Sequence, residues 1–416
     1  MTAPFRRRGP RPLPLHLMLG ASRGWLALAD ATMPPMGPSS TGWPSWSAAW
    51  PISKAGQAER QRILASLVAG NHAPDAFRAA LLRRLMREDR ATLAGIAAYR
   101  RHPYARRLPD PPSAQMAGGS RLLDYGLPGA KGRPVVFVPS LVNRAYVLDL
   151  TEDSSLLRFL AGQGVWPLLL DWGWPGEAER GFTLTDYVAG RLERVLMALP
   201  GPAVVVGYCM GGLLALGAAL RRPDRVAALG LLATPWDFHS TAEDTARARA
   251  ASALLPGLEG LMQSTGALPV DVIQTLFAGL DPFGIARKFR AFARLDPSTA
   301  RAELFVALED WLNDGIPLAA PVAREALGGW YAANTTARLA WRIAGQVVDP
   351  AAVRLPSFVA IPHRDRIVPP ASARSLSARL PRSEVHEAAA GHIGMAAGSG
   401  AEAALWRPLL AWLERL

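Results

Sequence analysis

The sequence predicts an α/β fold: a doubly wound, mostly parallel sheet with an inserted helical cap. Short apolar runs alternate with amphipathic stretches from about residue 121 onward. The alternation stops between about residues 236 and 345, where the pattern is mostly helical, and then resumes. Continuously apolar runs of about four to seven residues are typical of strands covered on both faces, as in parallel sheets. A helical block between two such strands suggests a cap over the sheet edge where open α/β sheets bind ligands.

The predicted strands are continuously apolar, and the predicted helices between them are amphipathic. The strands are expected at 135–138, 166–170, 203–207, 226–232 and 358–361. The helices are expected at 154–163, 184–199, 211–221 and 371–380. Strands that alternate with helices in this way indicate a parallel sheet with helices on both faces.

The domain boundaries follow from the same patterns. We expect an α/β core made of residues 121–235 and 346–416, with the cap at 236–345. Residues 57–120 are predicted to be a helical N-terminal region, because apolar residues recur there at three-to-four spacing. Residues 1–56 are rich in Pro, Trp, Gly and Ser, which predicts an irregular arm. The tryptophans of that arm include Trp43, Trp46 and Trp50.

The chain is strongly basic. Of its 416 residues, 46 are Lys or Arg and 34 are Asp or Glu, which gives a net charge of +12. One explanation of this basic charge is a high-GC genome, which produces an arginine-rich composition. The alternative, which stays open, is that the charge serves to bind an acidic substrate, an anionic granule surface or nucleic acid. The sequence lacks aromatic-interleaved basic motifs and zinc-finger spacings, so no nucleic-acid partner is expected. For the arginines at 83, 84, 87 and 90 we favour a solvated helix face over a binding patch.

Composition and cysteine count exclude several classes of protein. Half of the residues are hydrophobic, which excludes a mainly disordered chain. The single cysteine excludes a disulfide scaffold and metal sites built from several thiolates. No apolar run reaches the roughly 18 residues of a membrane span. A basic start and an apolar stretch at 13–28 resemble a signal peptide, but Pro14 and Arg23 interrupt that stretch, so a cytoplasmic location is expected.

The cysteine itself occupies a position that carries chemistry. Gly207, Cys209 and Gly211 form a G-x-C-x-G pattern between a predicted strand and a predicted helix, which is the nucleophile-elbow pattern with sulfur in place of oxygen. Glycines on either side of the nucleophile allow strand and helix to approach, and the helix N-terminus favours a thiolate. A lone cysteine is more often a small buried hydrophobe, but this context favours Cys209 as a nucleophile.

An acid and a histidine follow Cys209 in the chain order expected for this kind of site. Asp365 lies in the loop after the strand at 358–361, and the alternative is an aspartate paired with a neighbouring arginine. His392 lies between glycines after a short late strand. His363 is the rival histidine. It lies on the same loop as Asp365, and from there its ring is poorly placed to reach Cys209 as well. His386 falls within a strand and is interpreted as structural.

The oxyanion hole is expected to use backbone N–H groups. Met210 follows the nucleophile and supplies one donor. The second donor should come from the loop after the strand at 135–138, where Leu141 aligns best and Val142 is the alternative. The sequence contains no metal-ligand cluster, dinucleotide fingerprint or P-loop, so we expect no bound metal or cofactor.

At this point the motifs resemble those of the polyhydroxyalkanoate synthase family. The resemblance extends over about residues 120–416 and is carried by motifs in a fixed order. They include Val-Pro-Ser-Leu-Val-Asn-Arg-Ala-Tyr-Val-Leu-Asp-Leu at 138–150, Leu-Leu-Asp-Trp-Gly at 169–173, Thr-Asp-Tyr-Val at 185–188, Gly-Tyr-Cys-Met-Gly-Gly at 207–212, Ala-Thr-Pro-Trp-Asp-Phe at 233–238, Trp-Leu-Asn-Asp at 311–314, Asp365 with Ile-Val-Pro-Pro at 367–370, and Gly-His-Ile-Gly at 391–394. The first 120 residues match the family pattern poorly.

The resemblance implies an α/β-hydrolase fold with a helical cap. It implies an acyltransferase that polymerises (R)-3-hydroxyacyl-CoA through a thioester on Cys209, with His392 as base and Asp365 orienting His392 or helping to activate the incoming hydroxyl. It further implies a polyester product, the polymer granule surface as a partner, and a homodimer. A cysteine hydrolase with the same three residues, such as a thioesterase or depolymerase, is the alternative, and a non-enzymatic granule or scaffold protein is a third.

Overall fold

The computed structural model describes residues 7–32, 54–115, 118–128 and 132–416. The chain divides into two compact units. Unit 1 comprises Met1–His102 and Asp281–Asp296, and unit 2 comprises Pro103–Leu280 and Pro297–Leu416. One stretch of the predicted cap, Asp281–Asp296, therefore belongs to the helical N-terminal unit. Within the described ranges, no helix is both long and apolar enough to cross a membrane.

Unit 1 is helical. Its helices are α1 (Leu13–Thr32), α2 (Lys54–Ala69), α3 (Pro74–Arg101) and α10 (Gly284–Phe292). Helix α1 lies inside the predicted irregular arm at 1–56, so a helix replaces irregular structure there. Pro14 is its second residue, and proline is tolerated in the first turn because that N–H has no intrahelical partner. Trp43, Trp46 and Trp50 lie outside the described residues.

Helix α10 packs closely on α3 within unit 1. Phe289 lies edge-on to Tyr99, with ring centroids 5.6 Å apart, and both side chains are buried. Gly95 permits this approach, because a Cβ atom there would lie 2.0 Å from the carbonyl oxygen of Phe289. The aromatic positions of α10 thus explain why part of the predicted cap joins the N-terminal helices.

Unit 2 is built on an eight-stranded sheet. Its strands are β1 (Ser113–Gln115), β2 (Arg121–Asp124), β3 (Pro134–Val138), β4 (Trp166–Asp171), β5 (Ala203–Tyr208), β6 (Val226–Leu232), β11 (Ser357–Pro362) and β12 (Ser383–Ala388). The spatial order is β1-β2-β4-β3-β5-β6-β11-β12. Strands β4, β3, β5, β6, β11 and β12 are parallel to one another, whereas β2 pairs antiparallel with both β4 and β1. The prediction of a mostly parallel sheet is confirmed.

Both faces of the sheet are covered, which explains the continuously apolar strands. Along β3, Val136 and Val138 join the core cluster of one face, while Val135 and Phe137 join that of the other.

The helices of unit 2 are α4 (Leu156–Gly162), α5 (Glu193–Ala198), α6 (Met210–Arg221), α7 (Ala242–Ser252), α8 (Leu255–Thr265), α9 (Val270–Ala278), α11 (Ala300–Asn313), α12 (Ala320–Arg324), α13 (Pro370–Ser377), α14 (His392–Ala397) and α15 (Arg407–Leu413). Helices α5 and α12 are joined to π-helical turns at Asp186–Leu192 and Glu325–Ala332.

The insertion between β6 and β11 is mostly helical, as predicted. Besides its helices it contains two short pairs of strands: β7 (Ala267–Leu268) with β8 (Leu318–Ala319), and β9 (Arg342–Ile343) with β10 (Gln346–Val347). The insertion follows the end of β6, next to the end of β5 in the sheet. This position brings helical residues to the sheet edge where Cys209 follows β5.

Candidate active site

Cys209 lies in a strained turn between β5 and α6. Its backbone angles are φ 56° and ψ −127°, a conformation that L-residues seldom adopt. The flanking glycines leave no room for a side chain. A Cβ atom on Gly207 would lie 2.4 Å from the Cα of Gly212, and one on Gly211 would lie 2.1 Å from the carbonyl oxygen of Val138. The sequence pattern therefore forces strand and helix together and projects the thiol from the turn.

Asp365 and His392 meet beside this turn. Nδ1 of His392 lies 2.6 Å from Oδ2 of Asp365, and both side chains are buried. The other carboxylate oxygen, Oδ1, accepts hydrogen bonds from the backbone N–H groups of Ile367 (2.8 Å) and Val368 (2.9 Å). Since Asp365 is fixed by its own loop, it orients the imidazole so that the second ring nitrogen is available for Cys209.

The electrostatics couple His392 to both acidic partners. Burial by itself lowers the pKa of His392, but the negative charges of Cys209 and Asp365 outweigh burial. A hydrogen bond from each of these side chains adds to the effect, and together they raise the pKa of His392 to about 10. The site thus favours a protonated imidazole between Cys209 and Asp365, an arrangement suited to activating a cysteine nucleophile.

The rival histidines do not join Asp365 in this way. His363 is exposed, and its backbone N–H is bonded to Ala388 of the neighbouring strand. His386 lies against Phe358, and its Nε2 is 2.8 Å from the carbonyl oxygen of Ala404. Of the three candidate histidines, the structure brings His392 to Asp365.

Tyr208 is a site residue that the sequence interpretation missed. Its hydroxyl donates a hydrogen bond of 3.2 Å to the carbonyl oxygen of His392, and the two rings lie 5.2 Å apart. Burial first, and then the charges of Cys209 and Asp365, raise the pKa of Tyr208 well above its ordinary value. Its position directly before the nucleophile was the only signal in the sequence.

The predicted oxyanion donors lie around the same turn. Met210 is the first residue of α6, where backbone N–H groups have no intrahelical partner. The loop after β3 reaches this helix start, because Gly211 packs against the carbonyl groups of Val138 and Pro139. In that loop the N–H of Val142 already donates to the hydroxyl of Ser140 (3.3 Å). This contact favours the neighbouring Leu141 over Val142 as the second donor.

A cavity of about 430 Å³ opens at Cys209. Its walls are mainly apolar and aromatic, and many of them come from the inserted helical segment; they include Ala251, Leu254, Ile273, Leu276, Phe277, Trp330 and Tyr331. Burial, followed by the charge of Cys209, raises the pKa of Tyr331 to about 12, so this phenol stays protonated. An apolar cavity of this size beside a few convergent polar groups is typical of a small-molecule site.

In the part of the chain that the structure describes, no cluster of three or more His, Cys, Asp or Glu side chains could hold a metal ion.

Comparisons with known proteins show what this chain is similar to as a whole. A family model described as the alpha/beta hydrolase fold matches residues 134–398. A poly(3-hydroxyalkanoate) polymerase subunit of Haloferax mediterranei is 29% identical over 288 residues, which cover 67% of this chain and 58% of that protein. The subunit of the same name from Allochromatium vinosum is 28% identical over 297 residues, covering 70% of this chain and 82% of that protein. The chain thus spans less than two thirds of the length of the first relative. These similarities confirm the family resemblance that the motifs predicted.

Proposed function

Since the chain belongs to the α/β-hydrolase fold family, we propose that it is an acyltransferase that polymerises (R)-3-hydroxyacyl-CoA into a polyhydroxyalkanoate and releases CoA. One observation carries the proposal: its only cysteine stands at the elbow, coupled to the buried His392–Asp365 pair and open to an apolar cavity. The relatives named poly(3-hydroxyalkanoate) polymerase supply the substrate class.

In the first step the Cys209 thiolate attacks the thioester carbonyl of the substrate. The bond from the acyl carbon to the CoA sulfur breaks, and the departing sulfur takes the proton held by His392. The acyl group is then a thioester on Cys209. Exchange of one thioester for another is nearly isoenergetic, so the acyl group stays activated for the next transfer, whereas an ester on serine would be a poorer acyl donor.

In the second step His392 removes the proton from the 3-hydroxyl group of an incoming hydroxyacyl-CoA. The hydroxyl oxygen attacks the acyl carbon, the bond to Cys209 breaks, and a new ester joins the two units. The lengthened chain, still a thioester of CoA, then returns to Cys209 as CoA leaves. Asp365 keeps the imidazole in the required tautomer throughout, or it helps to activate the hydroxyl. Backbone N–H groups of Met210 and Leu141 stabilise the oxyanion of each tetrahedral intermediate.

The resemblance also supports three wider proposals. The protein would act in the cytoplasm, as a homodimer, and in contact with the surface of the polymer granule. The inserted helical segment would control access, because its side chains line the cavity at Cys209. None of these proposals requires a metal or an organic cofactor, since CoA is the carrier of the substrate.

Incubation of the purified protein with (R)-3-hydroxybutyryl-CoA tests the proposal. Free CoA, turbidity and extracted polyester are measured together, and all three should rise. Cys209→Ala should lower CoA release by roughly a thousandfold or more, because the chemistry has no other nucleophile. Release of CoA with free 3-hydroxybutyrate and no polymer would instead identify a thioesterase with the same residues. Activity that survives Cys209→Ala would overturn both functions.

A further inference from the structure

The net charge of the chain is confined to one of its two units. Unit 1 contains 19 Lys and Arg residues against 7 Asp and Glu, a net charge of +12. Unit 2, which contains the sheet and the site, has 27 of each, a net charge of zero. If a high-GC genome caused the excess of basic residues, both units would have a basic excess in proportion to their lengths. The basic charge is therefore a property of the helical unit, and genome composition does not account for it.

Many arginines of unit 2 are paired with its acids. Arg158 lies 2.7 Å from Asp149, Arg191 lies 2.6 Å from Glu179, and other pairs join Arg324 to Glu259 and Arg374 to Glu387. In each of these pairs the arginine has a structural role, because its charge is matched by a nearby carboxylate. Unit 2 as a whole has as many acids as bases, so its charges cancel in sum.

Helix α3 of unit 1 presents the opposite arrangement. Arg83, Arg87 and Arg90 are exposed, and within the described chain none of them lies in an ion pair. Met86 and Leu93 lie on the same face, and 57% and 51% of their surfaces are exposed. Spacings of three, four and seven residues place these five side chains, here called the arginine stripe, on one side of the helix.

We propose that the arginine stripe docks unit 1 on an anionic phospholipid surface, with Met86 and Leu93 entering the boundary between headgroups and acyl chains. The guanidinium groups supply the attraction to anionic headgroups, and the exposed apolar side chains gain by leaving water. A nucleic acid would also attract the arginines, but its phosphate backbone offers nothing to a methionine and a leucine. The lipid surface therefore uses every member of the stripe.

Sedimentation of the full-length protein with vesicles tests this proposal. One vesicle contains phosphatidylcholine alone, and the other contains equal parts of phosphatidylcholine and phosphatidylglycerol. We expect binding to the anionic vesicle only, weakening as ionic strength rises. Because each basic residue near such a surface contributes about fivefold in partitioning, the triple variant Arg83→Gln, Arg87→Gln, Arg90→Gln should bind roughly a hundredfold more weakly.

A charge-matched variant of unit 2 controls for net charge. Arg338, Arg342 and Arg354 are also exposed, and in the described residues none of them lies in an ion pair. Replacing all three by Gln removes the same three charges from the chain and should leave vesicle binding within about twofold of the original. Equal loss in both triple variants would overturn the proposal, because the effect would then be one of overall charge.

The apolar members of the stripe separate lipid from nucleic acid. The double variant Met86→Gln, Leu93→Gln keeps every charge and should weaken vesicle binding severalfold, because apolar burial contributes to interfacial binding. A duplex DNA fragment is the comparison ligand. DNA binding that is tighter than vesicle binding and indifferent to the double variant would overturn the proposal, as would absence of binding to anionic vesicles. These outcomes do not depend on acyl transfer, so failure here is distinct from failure of the proposed function.

Discussion

At Cys209 the backbone holds a conformation that costs on the order of 1–3 kcal/mol for a residue other than glycine. The surrounding structure maintains it, because Gly207 and Gly211 let β5, α6 and the loop after β3 pack against the turn. The same packing aligns the thiol with His392. Strain at this single residue is therefore coupled to the placement of the nucleophile.

Tyr208 is expected to act as a positioning residue for His392. Tyr208→Phe removes the hydrogen bond to the His392 carbonyl, worth about 1 kcal/mol, and should lower kcat about fivefold while leaving KM nearly unchanged. Steady-state kinetics of CoA release measures both constants. Tyr125→Phe is the matched control, since it removes another buried hydroxyl, bonded to Asp149, away from the site. An equal loss of kcat in both variants would contradict a positioning role.

The charge state of His392 gives a pH-dependent prediction. Its pKa is raised from 6.5 to about 10 in the folded protein, so its protonation stabilises the fold fully below pH 6.5. This contribution is lost as the pH rises from 6.5 through about 10. Asp365→Asn removes one of the two negative partners and should lower the pKa of His392. Histidine ring resonances followed by NMR across that pH window measure the shift, and an unchanged pKa would show that Asp365 does not hold the proton in place.

At the scale of elements, the contact between α3 and α10 sets the composition of unit 1. Gly95→Ala would place a methyl group 2.0 Å from a backbone carbonyl of α10, which cannot give way as a flexible side chain would. We expect a loss of about 1–3 kcal/mol in the free energy of unfolding, measured with urea. Gly24→Ala on α1, where nothing lies within 4 Å of the added Cβ, should stabilise by up to about 1 kcal/mol. Similar effects at both glycines would contradict the close packing of α3 on α10.

At the scale of the whole molecule, unit 2 depends on a buried carboxylate that joins distant segments. Asp149 is fully buried and accepts hydrogen bonds from Arg106, Tyr125, Ser155 and Arg158. Asp149→Ala would leave two partly buried guanidinium groups without their anion and should cost about 3 kcal/mol of folding free energy. Asp153→Ala, at an exposed acid nearby, should change the free energy of unfolding by less than about 0.5 kcal/mol. Chemical denaturation of both variants checks the difference.

Much of unit 2 could be predicted from the sequence because its signals are local. Apolar runs such as 203–207 predict buried strands by composition alone, and β5 extends that run by one residue to Tyr208. The elbow pattern around Cys209 can also be recognised locally, because its residues lie within five positions of one another. The partner that Gly211 packs against, Val138, is distant in sequence and is known only from the structure. Helix α1 shows the limit of such signals, because the prolines near its start predict irregular structure although the first turn of a helix tolerates them.

The sequence by itself determined the alternation of strands and helices, the position of the single thiol, and the order of Cys209, Asp365 and His392, because each depends on neighbours along the chain. Only the tertiary structure decided that Tyr208 contacts His392, that residues 281–296 pack with the N-terminal helices, and that the net charge of +12 falls on one unit. These features join residues far apart in sequence, and such contacts are decided by long-range packing, which no local pattern encodes.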